Sequence, residues 1–202
     1  MYILYHSPYS QHSRRVVSLL EQAGLAYEAH VVDLGADEHN SSAYLAINPN
    51  HQVPTLIDGD VKIHESNAIL RYLCLKHDLV DWYPSEPSTR ARIEQWLDWN
   101  QSRLSRNVVD IVLNKVFMGE HGDREAIKRG TTNLEELAPI LGNRLAGQDY
   151  LAGSKPTIAD LSVASNIFQL GFADAIPVDS HIASWYARMN ALPGFQASLP
   201  KM

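Results

Sequence analysis

The sequence predicts an α/β domain with a mixed four-stranded sheet, followed by an all-α domain built as a helical bundle. Three observations lead to this fold class. Residues 1–77 alternate short β-branched or aromatic runs with segments of helical periodicity. Residues 78–88 contain two prolines and no sustained period, which is typical of a linker. Residues 89–202 contain long segments of helical periodicity and no convincing strand.

The elements of the first domain follow from its periodicity. Asp58-Gly59-Asp60 predicts the tight turn of a hairpin, and Gly24 a helix stop. A strand–helix–strand unit requires a parallel pair with a right-handed crossover, and the hairpin adds antiparallel strands, so the sheet is mixed. We expect Ser66 to cap the last helix of the domain. The predicted strands cover residues 2–5, 27–34, 55–57 and 61–63, and the helices cover residues 10–24, 43–47 and 66–77.

The second domain is predicted to contain four helices, over residues 89–118, 124–145, from 157 onward and 182–192. Pro139 indicates a kink in the second of them. Thr157 and Asp160 form a variant of the capping box at the start of the third. We expect Pro193-Gly194 to close the last. The apolar stripe of the first helix consists of Ile93, Trp96, Leu97, Leu104, Val108, Ile111, Val112 and Val116.

Composition excludes several classes of function. A formal net charge of -6 gives no electrostatic reason to expect nucleic acid or an anionic membrane as a partner. No apolar run approaches the roughly 20 residues of a membrane span, and the N-terminus lacks a signal-peptide pattern, so we expect a cytoplasmic protein. The single cysteine, Cys74, excludes internal disulfides and a Cys-x-x-Cys motif. The histidines show no metal-ligand spacing, so no metal site is predicted.

Residues 48–70 bring a strand start close to a helix start, and both leave backbone groups that need partners. A cis bond at Val53-Pro54 would turn the Val53 N–H and C=O toward an extended peptide. The N-terminus of the helix that follows would attract a carboxylate, and Glu65 beside it could bind an ammonium group. A turn proline and an ordinary capped helix would explain the same residues equally well.

These residues carry a resemblance to a known family. Val53-Pro54-Thr55-Leu56 and Glu65-Ser66 resemble the cis-proline segment and the Glu/Gln-Ser pair of glutathione transferases, and the likeness runs over nearly the whole chain. In detail it is similar to the theta and delta classes and their bacterial relatives. The resemblance implies a thioredoxin-like domain over residues 1–77 that binds glutathione as co-substrate, a linker over 78–88, and an all-helical domain over 89–202 that forms the pocket for a hydrophobic electrophile. It also implies a homodimer.

Ser10 is the residue that the resemblance assigns to catalysis. Ser10-Gln11-His12-Ser13-Arg14 is similar to the Ser-x-x-Ser-Arg segment in which theta-class enzymes use the first serine to donate a hydrogen bond to the thiol sulfur. A hydroxyl is too weak an acid to act as a base, so such a hydrogen bond would act by favouring thiolate over thiol. Tyr9 and Ser7 remain alternative contacts for the sulfur.

The resemblance implies further contacts with glutathione through His39, His51, Gln52, Val53, Glu65 and Ser66. Either histidine could bind the glycine carboxylate, although a solvated loop histidine is an equal alternative for each. Two positions depart from the family pattern, since Gln52 stands where several relatives have lysine and Asn67 where delta-class relatives have arginine. For the electrophile, the sequence offers only Arg103, Asn107 and Phe117 on the long helix. Trp96 and Trp99 could belong to the core, to the pocket or to a dimer contact, and the core is the favoured alternative.

The function predicted from the sequence is that of a glutathione transferase, which activates the glutathione thiol for attack on an electrophilic small molecule, by conjugation or dehalogenation. The alternative is a non-catalytic protein that keeps the same fold for binding or regulation. The absence of a cysteine near Ser10 makes thiol–disulfide exchange the less favoured chemistry.

Overall fold

The computed structural model describes residues 1–201 and divides the chain into two compact units. The first unit contains residues 1–80 and returns at residues 191–201, and the second contains residues 81–190. The sequence had assigned the C-terminal residues to the helical domain. They join the first unit because a short C-terminal helix packs against the first helix of the chain.

The strands and helices follow the predicted order. The strands are β1 (Tyr2–His6), β2 (Tyr27–Val31), β3 (Thr55–Asp58) and β4 (Val61–His64). The helices are α1 (Gln11–Gln22), α2 (Ser42–Leu45), α3 (Ser66–Lys76), α4 (Pro87–Trp99), α5 (Ser105–Val112), α6 (Arg124–Leu145), α7 (Ile158–Gly171), α8 (Ser180–Asn190) and α9 (Pro193–Ala197). Two π-helical segments, Asn100–Leu104 and Leu113–Phe117, adjoin α5.

The four strands form one sheet in the order β2-β1-β3-β4. β1 is parallel to β2, while β3 is antiparallel to both β1 and β4. The predicted mixed sheet is therefore confirmed. The core of this unit consists of residues that are completely buried, among them Leu4, Val16, Leu19, Leu20, Leu56, Ile69, Leu70 and Leu73. Leu4 lies in β1 and Leu56 in β3, and the others lie at helical spacing in α1 and α3, so the periodicity of the sequence places the helical members correctly.

Three local predictions for the first unit need correction. Ser66 is the first residue of α3 and not its cap, because Glu65 has a left-handed backbone (φ 68°) and its carbonyl accepts the first helical bond, from Ile69. β2 ends at Val31, since the Asp33 carboxylate accepts hydrogen bonds from the two N–H groups of the next turn. Pro193 was expected to close the preceding helix, but it is the first residue of α9, a position that suits proline.

α9 lies directly on α1, and glycine is required at the contact. A Cβ atom on Gly194 would stand 2.5 Å from the backbone nitrogen of Gln22 and 2.6 Å from the carbonyl oxygen of Ser18. The Gly194 N–H donates to the Gln22 side chain at 2.9 Å. The hydroxyls of Ser18 and Ser198 are joined by a second bond of 2.8 Å. Close approach and two polar contacts thus attach the C-terminal residues to the first unit.

The second unit is entirely helical among the residues described, as predicted. The long helix of residues 89–118 is found as a continuous helical run from Pro87 to Phe117, widened by its two π-helical segments. The predicted apolar stripe is buried except for Val116, which is 39% exposed. Pro139 lies within α6. The capping box of α7 is present, with the Asp160 carboxylate also accepting from Leu151 N–H and from the Trp185 indole.

Candidate active site

Strand register brings the predicted binding segments to one end of the sheet. Tyr5 in β1 is opposite Thr55 in β3, and Thr55 is opposite His64 in β4. At this end of the sheet, the chain therefore leaves β1 toward Ser10, enters β3 from Val53 and leaves β4 toward Glu65. β2 runs parallel to β1, so the segment that carries His39 leaves the sheet at this end as well.

Ser10 occupies the N-cap of α1, where its side-chain oxygen accepts a hydrogen bond from the Ser13 N–H at 3.3 Å. The residue is partly exposed. A hydroxyl that accepts one bond still has its own hydrogen to donate. α1 is twelve residues long, so its N-terminus also presents the positive end of a helix dipole beside this hydroxyl. The position is suited to stabilising a negative charge.

The two alternative residues are placed differently. Ser7 is only 6% exposed, and its N–H donates to the Ser13 hydroxyl. Tyr9 is 49% exposed, on the turn between β1 and α1. Of the three side chains, only that of Ser10 lies at the first turn of α1 and is accessible there.

Val53-Pro54 is a cis peptide bond, the geometry that the sequence suggested. A buried polar network holds the residue before it, because the Gln52 carbonyl accepts from the Tyr44 hydroxyl at 2.6 Å and from Asn48 Nδ2 at 2.8 Å. Both side chains also contact the Thr55 hydroxyl, at 3.2 and 3.0 Å. Sequence reasoning missed Tyr44 and Asn48. An Asn-Pro dipeptide after a short helix was the only signal, and it indicates a turn.

Glu65 and Ser66 stand side by side at the start of α3. Glu65 is exposed, and its left-handed backbone turns the chain from β4 into the helix. Ser66 is 4% exposed, and its N–H is one of the first of α3, which have no partner within the helix. A carboxylate thus lies next to N–H groups that favour an anion.

His39 and His51 are brought together by a residue that the sequence analysis did not single out. Asn40 places its Oδ1 at 2.6 Å from His51 Nδ1 and its Nδ2 at 3.3 Å from His39 Nε2. Asn40 Nδ2 also donates to the Asp37 carboxylate at 2.6 Å. His51 is exposed and has a left-handed backbone (φ 58°), while His39 is partly buried. The two imidazoles therefore belong to one polar cluster.

A buried arginine lies behind the start of α3. Arg15 Nη1 donates to Asn67 Oδ1 at 3.2 Å, and the arginine side chain is completely buried. Burial is the main cause that lowers the pKa of Arg15, to about 9, and the charge of Arg14 acts in the same direction. The charge of Glu65 acts in the opposite direction. The sequence analysis assigned no role to Arg15.

The described part of the chain contains no cluster suited to a metal ion, and its cysteine is buried. Residues 1–201 contain no group of three or more His, Cys, Asp or Glu side chains arranged to hold a metal ion. Cys74 is buried, and burial raises the pKa of its thiol to about 12, so it is a poor nucleophile. Within the same residues, no helix has both the length and the apolar character needed to cross a bilayer.

The second unit exposes an apolar stripe on the helical run that includes α5. Its members lie on or beside one helical face and are 37–52% exposed: Val109, Leu113, Val116, Phe117 and Met118. Asn107 is instead buried, and its side chain links α5 to α6 through Asn133 at 2.9 Å. Trp96 is buried and makes an edge contact with Trp99. Of the three residues that the sequence offered for contact with the electrophile, Phe117 and Arg103 are exposed and Asn107 is not.

Comparison with known proteins gives a consistent result. The family model described as glutathione S-transferase, N-terminal domain, matches residues 1–74, and the corresponding C-terminal model matches residues 105–193. Glutathione S-transferase F10 of Arabidopsis thaliana is 32% identical and mouse glutathione S-transferase theta-1 is 30% identical. Each of these alignments covers 95% of this chain. The alignment covers 93% of the Arabidopsis protein and 83% of the mouse protein.

A solved structure agrees over the full length. The theta class glutathione S-transferase of Xanthomonas axonopodis pv. citri, determined with glutathione bound, matches with a TM-score of 0.90 at 30% identity and covers 100% of this chain and 98% of its own. The family resemblance and the fold class predicted from the sequence are thus both confirmed. The chain therefore belongs to the glutathione S-transferases and is an enzyme of that family.

Proposed function

We propose that this enzyme binds glutathione in its first unit and activates the thiol as a thiolate, which attacks an electrophilic carbon of a hydrophobic small molecule. Conjugation and dehalogenation both use that nucleophile. The observation that supports this most directly is the position of Ser10, whose accessible hydroxyl retains a hydrogen to donate at the N-terminus of α1.

The energy needed is modest. A free thiol has a pKa of about 8.5 and is mostly protonated at neutral pH, and each pKa unit corresponds to about 1.4 kcal/mol. A hydrogen bond from the Ser10 hydroxyl to the thiolate would contribute roughly 1.5–3 kcal/mol, and the helix dipole roughly 0.3–1 kcal/mol. Together they would lower the pKa of the bound thiol by about one to three, and a drop of more than about 1.5 makes the thiolate the main species at pH 7.

The remainder of the tripeptide has complementary groups at the same end of the sheet. The backbone of Val53 would pair with the extended peptide, while the γ-glutamyl end, which carries an ammonium and a carboxylate, would bind Glu65 and the N–H of Ser66.

At the other end of the tripeptide, the glycine carboxylate would bind the cluster of His39 and His51, with the amide of Gln52 nearby. This assignment is supported by the hydrogen bonds of Asn40, which hold the two imidazoles in one cluster.

The exposed apolar stripe of the second unit is our candidate for the surface that contacts the electrophile. Exposed apolar side chains grouped on one helical face favour binding of an apolar partner. We further propose a homodimer located in the cytoplasm. Light scattering coupled to size-exclusion chromatography tests the assembly, and a monomer at working concentration would contradict it.

Steady-state kinetics with a model electrophile tests the proposed function. We expect Ser10→Ala to lower kcat by about 10- to 150-fold, the equivalent of one charge-assisted hydrogen bond, while the KM for glutathione changes little. Ser7→Ala is the matched control and should stay within about threefold of the wild type. Equal losses in the two variants would contradict the assignment of Ser10. Absence of turnover in the wild type with every electrophile tried would favour the non-catalytic alternative.

A further inference from the structure

Within the described part of the chain, Arg15 is a buried charge with two unpaired nitrogen atoms. Its side chain is fully buried, and one nitrogen, Nη1, donates to the neutral side chain of Asn67. Its Nε and Nη2 have no hydrogen-bond partner among the described residues. A guanidinium carries five N–H donors, and buried polar groups are normally paired, so an arginine with a purely structural role would be expected to use more of them.

The location of this charge relates it to a ligand site. Asn67 is the second residue of α3 and directly follows Ser66, so Arg15 lies behind the first turn of that helix. The helix dipole and the guanidinium both favour an anion at this point. The charge of Glu65 acts on Arg15, but its side chain is exposed at the turn and provides no partner for the Nε and Nη2 atoms of the arginine, which have no hydrogen bond to any described residue.

We infer that Arg15 is a positioning residue which, through Asn67, makes the N-terminus of α3 selective for the carboxylate at the γ-glutamyl end of glutathione. This inference rests on the proposed function. Glu65 and Arg15 then form a pair of opposite charges around one turn, and the γ-glutamyl end carries the complementary pair, an ammonium and a carboxylate on one carbon. The ligand carboxylate would add a negative charge on the side of the turn where the buried guanidinium lies.

The test compares two ligands and two variants by titration calorimetry. The ligands are glutathione and the same peptide with γ-aminobutyryl in place of γ-glutamyl, which keeps an amino group and lacks the carboxylate. We expect Arg15→Met to weaken glutathione binding about tenfold and to change the analogue less than twofold. Arg15→Lys keeps the charge and should recover most of the affinity for glutathione.

A structural role gives different results. If Arg15→Met weakens both ligands equally, or neither, the inference is overturned. If Arg15→Met does not fold, the two ligands are compared in Arg15→Lys and in the wild type. A wild type that binds the analogue as tightly as glutathione also overturns the inference. Failure of the wild type to bind glutathione at all would remove the proposed function itself, whereas binding without preference for the carboxylate would remove only the role of Arg15.

Discussion

The hydroxyl of Tyr44 supports the loop that carries Gln52 and Val53, and its removal gives a measurable prediction. The side chain is 3% exposed, and its oxygen lies 2.6 Å from the Gln52 carbonyl oxygen and 3.2 Å from Thr55 Oγ1. We expect Tyr44→Phe to lower the free energy of unfolding by about 1–2 kcal/mol, because a net hydrogen bond contributes about 1 kcal/mol and a buried acceptor loses a partner. Asn48 limits the loss, since it still donates to the same carbonyl.

The same change should weaken glutathione binding. The Gln52 carbonyl immediately precedes Val53, whose backbone is proposed to pair with the peptide, so a less ordered loop must be ordered again on binding. We expect the Kd of glutathione to rise about three- to tenfold, measured by calorimetry, while urea denaturation gives the stability. Tyr27→Phe is the matched control, because its hydroxyl donates to Glu21 at the surface, and it should change stability by less than about 0.5 kcal/mol.

Two results would refute this reasoning. Tyr44→Phe could leave both quantities at their wild-type values, which would mean that Asn48 alone holds the carbonyl. The control could lose as much stability as Tyr44→Phe, which would mean that burial of the hydroxyl does not determine its contribution. Either result would remove the proposed link between the buried network and the binding loop.

Three further predictions concern other parts of the chain. Hydrogen bonds from Ser88 and Thr89 lower the pKa of Glu86 from 4.5 to about 2. The carboxylate therefore contributes to stability above pH 4.5, and this contribution is lost as the pH falls toward 2. The difference in Tm between the wild type and Glu86→Gln should disappear over that pH range. Gly194→Val should cost more than about 2 kcal/mol of unfolding free energy, because its Cβ meets α1, while Gly147→Ala, with open space around it, should be neutral by denaturation. Phe117→Ala should raise the KM of a hydrophobic electrophile about three- to thirtyfold and leave the Kd of glutathione unchanged. An unchanged KM would contradict the proposed role of the exposed apolar stripe.

Most of the fold could be predicted because it depends on local signals. Leu19 and Leu20 share the buried face of α1, the Asp-Gly-Asp turn joins β3 to β4, and Thr157 caps α7 together with Asp160. Each signal lies within a few residues and has one favourable structural solution. The position of α9 could not be predicted in this way, because its contact with α1 joins Gly194 to Gln22, which lie 172 residues apart.

The candidate site likewise contains residues that could be predicted from the sequence and residues that could not. Ser10, Val53 and Glu65 were recognisable from short motifs, and strand register explains why they share one end of the sheet. Their supporting contacts were not recognisable, because Asn40 reaches His51 across 11 residues and Arg15 reaches Asn67 across 52. A polar residue that contacts another only in the folded chain leaves no periodic pattern in the sequence.

The most direct test of the central claim is the pKa of the glutathione thiol bound to the enzyme, measured by thiolate absorbance against pH for the wild type and Ser10→Ala. We expect the pKa of the bound thiol to lie about one to three below the free value of about 8.5, and most of this depression to disappear in Ser10→Ala. A depression that survives the substitution would transfer the contact to Tyr9 or Ser7. Bound glutathione with an unshifted thiol pKa in both proteins would contradict the proposed mechanism.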